Sequence, residues 1–180
     1  MKKTIFVIAL VSLFLVGCST DTNTPTSKVE DFMSKYQRMD SEVLSQLDSV
    51  VSNNDSLTDD QRKDYRALIE RQYQNMTYKI KDENTDKNNA TVTVEVEVFD
   101  YRSSLNKSEE YYKANKEEFQ KDDGKDDIKK YWDYKISEMK KVEDKVKSEI
   151  IFTLHKEDDK WVLDDISDTD REKLHGLYEG

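Results

Sequence analysis

The chain has 180 residues and a formal charge of −10, set by 39 Asp and Glu against 29 Lys and Arg. An excess of carboxylates this large repels phosphate backbones, and no basic stripe interrupts it, so nucleic acid is not expected as a partner. One cysteine excludes an intrachain disulfide framework, and the roughly 160 residues after the first apolar run make one domain.

The N-terminus carries Lys2 and Lys3, then an apolar run from Ile5 to Val16 broken only by Ser12, then small residues from Gly17 to Thr20. That is the layout of a secretory signal. As a helix the run would be roughly 18 Å long, against a hydrocarbon core of about 30 Å, so it is too short for a stable span. Directly behind it stands Cys18, with no second cysteine to pair with and no base beside it to activate a free thiol. The stretch Leu15-Val16-Gly17-Cys18 resembles the lipobox of bacterial lipoproteins. The resemblance implies that residues 1–17 are a signal peptide, that Cys18 becomes the mature N-terminus, and that its thiol carries a diacylglyceryl group. Two acyl chains hold a protein stably where one gives only reversible binding. The expected location is the outer face of the cell membrane, with the membrane contacted through lipid alone. Losing Lys2 and Lys3 makes the body more acidic still, which keeps it off an anionic lipid surface.

Residues 18–26 are polar, aperiodic and contain the sole proline, the composition of a flexible tether. The domain is expected from residue 27 to 180. Ser27-x-x-Glu30 has capping-box spacing, and Val29, Phe32, Met33 and Tyr36, then Val43, Leu44, Leu47, Val50 and Val51, recur at helical spacing with a break near Asp40. Thr58-x-x-Gln61 opens a second capping box ahead of Tyr65, Leu68, Ile69, Gln72, Tyr73 and Met76 on one face. The period then drops to two: Ala90, Val92, Val94, Val96 and Val98 alternate with Thr91, Thr93, Glu95 and Glu97. Thr77 to Lys81 is the expected partner strand, joined through the polar loop "DENTDKNN". Residues 102–143 form a helical insert, its first helix poor in apolar positions and its second carrying Ile128, Tyr131, Trp132, Ile136, Met139 and Val142. A last hairpin follows within residues 145–166, then a short terminal helix.

The order of elements predicts an α+β domain: N-terminal helices packed on a four-stranded antiparallel curved sheet, with the helical insert between the two hairpins. Over residues 27–166, and in the hairpin "IIFTLHKEDDKWVLDDI", it resembles secreted domains of the nuclear transport factor 2-like superfamily, whose cystatin-like cone wraps a curved sheet around a helix. The insert departs from the compact form of that fold.

No catalytic site emerges from the motifs. Ser104-x-x-Lys107 and Ser137-x-x-Lys140 match a serine–lysine pair, but that spacing is cheap in a lysine-rich chain and its companion signatures are absent. His155 and His175 have no second histidine or cysteine at ligand spacing and read as surface residues. The loop "DDGKDD" lacks the acids of a calcium loop, since Phe119 and Lys121 fall on positions one and three. No cofactor or metal is expected. Most of the ten tyrosines sit at core spacing, leaving Tyr111, Tyr112 and Tyr134 as partly exposed contact anchors. The expected function is a lipid-anchored extracytoplasmic binding or interaction domain, taking a protein partner or a small apolar ligand. Two alternatives stand beside it: an isomerase- or hydratase-type enzyme, which the cone resemblance implies would use an aspartate or tyrosine in the cone, and an immunity or interaction factor acting through residues 102–143.

Overall fold

The computed structural model describes residues 23–179, so the signal segment, the lipobox and Cys18 lie outside the described residues. The domain is α+β, with six helices and one four-stranded antiparallel sheet that is curved and unclosed. Three helices come first: α1 (Pro25–Arg38), α2 (Ser41–Ser52) and α3 (Asp59–Asn75). Strands β1 (Thr77–Thr85) and β2 (Asn89–Phe99) follow, then α4 (Tyr101–Ala114) and α5 (Ile128–Lys140). Strands β3 (Lys145–Glu157) and β4 (Lys160–Leu163) complete the sheet, and α6 (Asp168–His175) ends the fold.

Helix α1 starts earlier than the Ser27 signal predicts. Thr24 is the N-cap, its hydroxyl accepting from Ser27 N–H while Ser27 Oγ accepts from Thr24 N–H. Pro25 then sits in the first turn, where its missing N–H costs nothing. The proline assigned to a tether is therefore part of a helix. Asn23 reinforces this start by accepting from Trp161 N–H and donating to the Asp159 carbonyl. The break near Asp40 is made by Met39 in the left-handed conformation, φ 55°. The Thr58 capping box forms as read, and its Gln61 also donates to the Lys129 carbonyl and to Asp133, tying α3 to α5.

The sheet runs β1-β2-β3-β4, every neighbour antiparallel. Ala90, Val92, Val94, Val96 and Val98 of β2 are all buried, and Ile150, Phe152 and Leu154 of β3 lie beside them. Their other face is wet, and there Glu95 sits between Lys81 and Lys147 at 3.4 and 3.2 Å. β1 is longer than its apolar residues suggest: the ladder continues from Asp82 to Thr85 through residues assigned to the loop, after a bulge between Ile80 and Asp82. Backbone pairing with β2 extends the strand where side-chain burial stops. The β3–β4 turn consists of Asp158 and Asp159, both at positive φ (48° and 60°), as a two-residue primed turn requires.

The main core is α1, α2 and α3 against the inner face of the sheet. Met33, Val29, Ile69, Met76, Val94 and Phe152 fill that space themselves, so the interior between sheet and first helices is packed. A second cluster of Leu68, Phe99, Tyr101, Ile136 and Met139 joins α3 to the insert.

Candidate functional site

The pocket lies beside the packed interior, where α1, α2, α3 and α6 converge. Its volume is about 360 Å³. Helix α3 supplies Tyr65, Ile69 and Tyr73, spaced four residues apart and so stacked along one face. Leu47 and Val50 of α2 form the facing apolar wall, with Gln46 and Ser49 at the margin. Tyr36 comes from α1, and the terminal helix contributes Arg171 and His175, one turn apart. A wider groove of about 580 Å³ runs between α4 and the C-terminal segment, but both charge signs line it and Arg102 there is already paired to Glu179 at 2.6 Å. The helix-walled pocket combines the aliphatic side chains of Leu47, Val50 and Ile69 and three tyrosine rings with placed polar groups, the character of a small-molecule site.

Its polar end is built from rings. Tyr36 and Tyr73 meet edge to face with centroids 5.0 Å apart, and Tyr73 Oη lies 2.9 Å from His175 Nε2. Burial pushes the phenols of Tyr36, Tyr65 and Tyr73 up, so all three are neutral near pH 7. Burial, and then the nearby Arg171 charge, pushes His175 down to about 4. The imidazole–phenol hydrogen bond is therefore between uncharged groups, and Arg171 is the permanent charge of the pocket. Its guanidinium acts on the Tyr36 hydroxyl by charge and by hydrogen bonding. No carboxylate lines this pocket.

The terminal helix is held in place by a buried clamp. Gln72, without solvent exposure, donates to the Phe99 carbonyl at 3.0 Å and accepts from Phe99 N–H at 2.8 Å. Gly176, at φ 69°, packs so tightly on that clamp that a Cβ there would lie 2.0 Å from the Phe99 oxygen and 2.3 Å from Gln72 Nε2. This close approach brings α6 over α3 and puts Arg171 and His175 into the pocket.

The histidines separate in role. His155 lies on the wet face of β3, its Nδ1 2.6 Å from Asp164. His175, read as a surface residue, is instead a pocket residue bonded to Tyr73. Its spacing to Arg171 and its place beside the buried Leu174 were the available signal, but an eight-residue helix shows its inner face only once the sheet it rests on is known. Tyr36, Tyr65 and Tyr73 were read as core; they are core and pocket wall together.

The insert tyrosines gather around Phe119. Tyr111 stacks on Tyr134 at 4.9 Å and Tyr112 on Tyr131 at 4.4 Å, with the buried Phe119 ring between the two pairs. These rings are largely each other's partners. Tyr111 is exposed, while Tyr112 and Tyr134 are half-buried. Ser104 lies on α4 with its carbonyl accepting from Ser108 Oγ, and Ser137 Oγ donates to the Tyr134 carbonyl. Among the described residues no cluster of three or more His, Cys, Asp or Glu could hold a metal ion, and no helix is long and apolar enough to cross a membrane. No protein-family model, no curated protein and no solved structure matches this chain.

Proposed function

We propose that the protein is a lipid-anchored extracytoplasmic binding domain, tethered through Cys18 on the outer face of the membrane, that takes a small, largely apolar ligand into the pocket between α1, α2, α3 and α6. The observation that carries the binding half is the pocket itself: apolar walls from Leu47, Val50, Ile69 and Tyr65, closed at one end by Tyr36, Tyr73, His175 and Arg171. Burying about 200 Å² of apolar ligand surface there yields about 5 kcal/mol at ~25 cal/mol/Å². Association costs consume much of that, so a neutral apolar molecule should bind only weakly. The anchoring half rests on the register of Lys2 and Lys3, the apolar run, and Leu15 to Cys18.

Each half has its own test. Cys18→Ala should leave unprocessed precursor and abolish labelling by a fatty acid; a variant that is still cut and labelled normally contradicts the anchor. Val50→Trp, at the exposed wall of the pocket, places an indole across it and should abolish binding of 4-phenylbutanol with the fold intact by circular dichroism. Unchanged binding would move the ligand site elsewhere.

The reading as an interaction factor keeps one support, since Tyr111 and Ile128 remain exposed on the insert at 38% and 45%. Exposed apolar rings and chains are the usual anchors of protein contacts. The cone-pocket enzyme has less support, because the space between sheet and helices, where that reading puts its catalytic group, is filled by the core.

A further inference from the structure

Resting on the binding reading above, we propose that the ligand is a monocarboxylic acid with an apolar body, its carboxylate taken by Arg171 and its body lying between Leu47, Val50, Ile69 and Tyr65. A guanidinium inside an apolar-walled pocket is costly unless an anion accompanies it, and arginine's planar fork suits a carboxylate in two parallel hydrogen bonds. Among the described residues, no ion pair includes Arg171. Of its acidic neighbours on α6, Asp170 holds Lys173 at 2.9 Å and accepts from Ser167 Oγ, and among the described residues neither Asp168 nor Glu172 forms an ion pair with Arg171. Glu42 of α2, a carboxylate that acts on Tyr36, is within 3.9 Å of Lys35.

The remaining polar groups of the pocket set the charge that fits. Tyr36, Tyr73 and the Tyr73-bonded His175 are uncharged and offer hydrogen bonds without adding a second positive charge. Only one unit of negative charge is therefore matched. Asp168, Asp170 and Glu172 stand close to Arg171 along its own helix, so each further negative charge on a ligand meets more repulsion and a dianion such as a phosphate monoester is disfavoured relative to a monoanion. A volume of about 360 Å³ is at the small end of ligand sites, which suits a body of one ring or a short chain.

The test uses a matched pair, 4-phenylbutyrate and 4-phenylbutanol, titrated calorimetrically into the full chain carrying Cys18→Ser, which removes the lipid and the need for detergent. The acid should bind at least tenfold more tightly than the alcohol. Arg171→Gln should erase that preference by weakening the acid at least tenfold more than the alcohol, while Arg171→Lys, which keeps charge without the fork, should retain part of it. Should Arg171→Gln unfold, the wild-type comparison and Arg171→Lys still decide. Equal affinity for acid and alcohol in the wild type would overturn the acid assignment and leave the apolar pocket standing. Binding of neither compound would overturn both readings. Acid binding that survives Val50→Trp unchanged would place the site elsewhere and overturn the proposal.

Discussion

Gln72 is a polar side chain with no solvent contact, and both of its amide atoms are bonded to Phe99 at the end of β2. Replacing it with Leu keeps the volume but leaves one buried N–H and one buried C=O without partners, each worth about 1–3 kcal/mol. Gln72→Leu should therefore lower stability by about 2–4 kcal/mol in urea unfolding. Gly176→Ala should cost at least about 2 kcal/mol, since the new methyl meets a backbone oxygen and the φ is left-handed. His175 gives the pH dependence. Its folded pKa, about 4, lies below the ordinary 6.5 because burial disfavours the charged ring. The unfolded chain then takes up the proton first, so this group's contribution is intact above about 6.5 and falls as pH drops from 6.5 toward 4. The loss is at most about 3 kcal/mol. His175→Gln should flatten the stability difference between pH 7 and pH 5; an unchanged difference would show that other groups govern it.

Elements differ in how plainly the sequence announces them. The Thr58 capping box and the valine alternation of β2 are local signals, and both appear in the structure at the residues that carry them. The distal half of β1 has no such signal, because Asp82, Glu83, Asn84 and Thr85 are exposed and owe their conformation to pairing with β2. In the insert, sparse apolar residues predict a solvated helix. The structure answers with a 3-10 turn over Lys116–Phe119 that folds Phe119 back beneath four tyrosines. Phe119 thus acts as a small core for an element that otherwise has little. Phe119→Ala should cost the insert about 3 kcal/mol. In hydrogen exchange, protection should fall across residues 101–140 while β2 and β3 keep theirs. Uniform loss across sheet and insert would instead show one cooperative unit.

At the scale of the molecule, the sheet, the first helices and Leu174 of the terminal helix share one core, and Arg171 and His175 of that terminal helix close a pocket at its edge. The α+β order was readable because it depends on periods along the chain. The pocket was not, because it joins Tyr36, Leu47, Tyr65, Tyr73 and Arg171 from four helices, and each of those residues alone looks like core or surface. The anchor proposed at Cys18 would keep that pocket in the extracytoplasmic solution. Amide chemical-shift mapping of the Cys18→Ser chain titrated with 4-phenylbutanol decides whether a ligand enters that pocket. A ligand in the pocket should shift Leu47, Ile69, Tyr73 and His175 and leave Tyr111 and Tyr134 unmoved. Shifts centred on the insert tyrosines, or none at saturating probe, would contradict binding there.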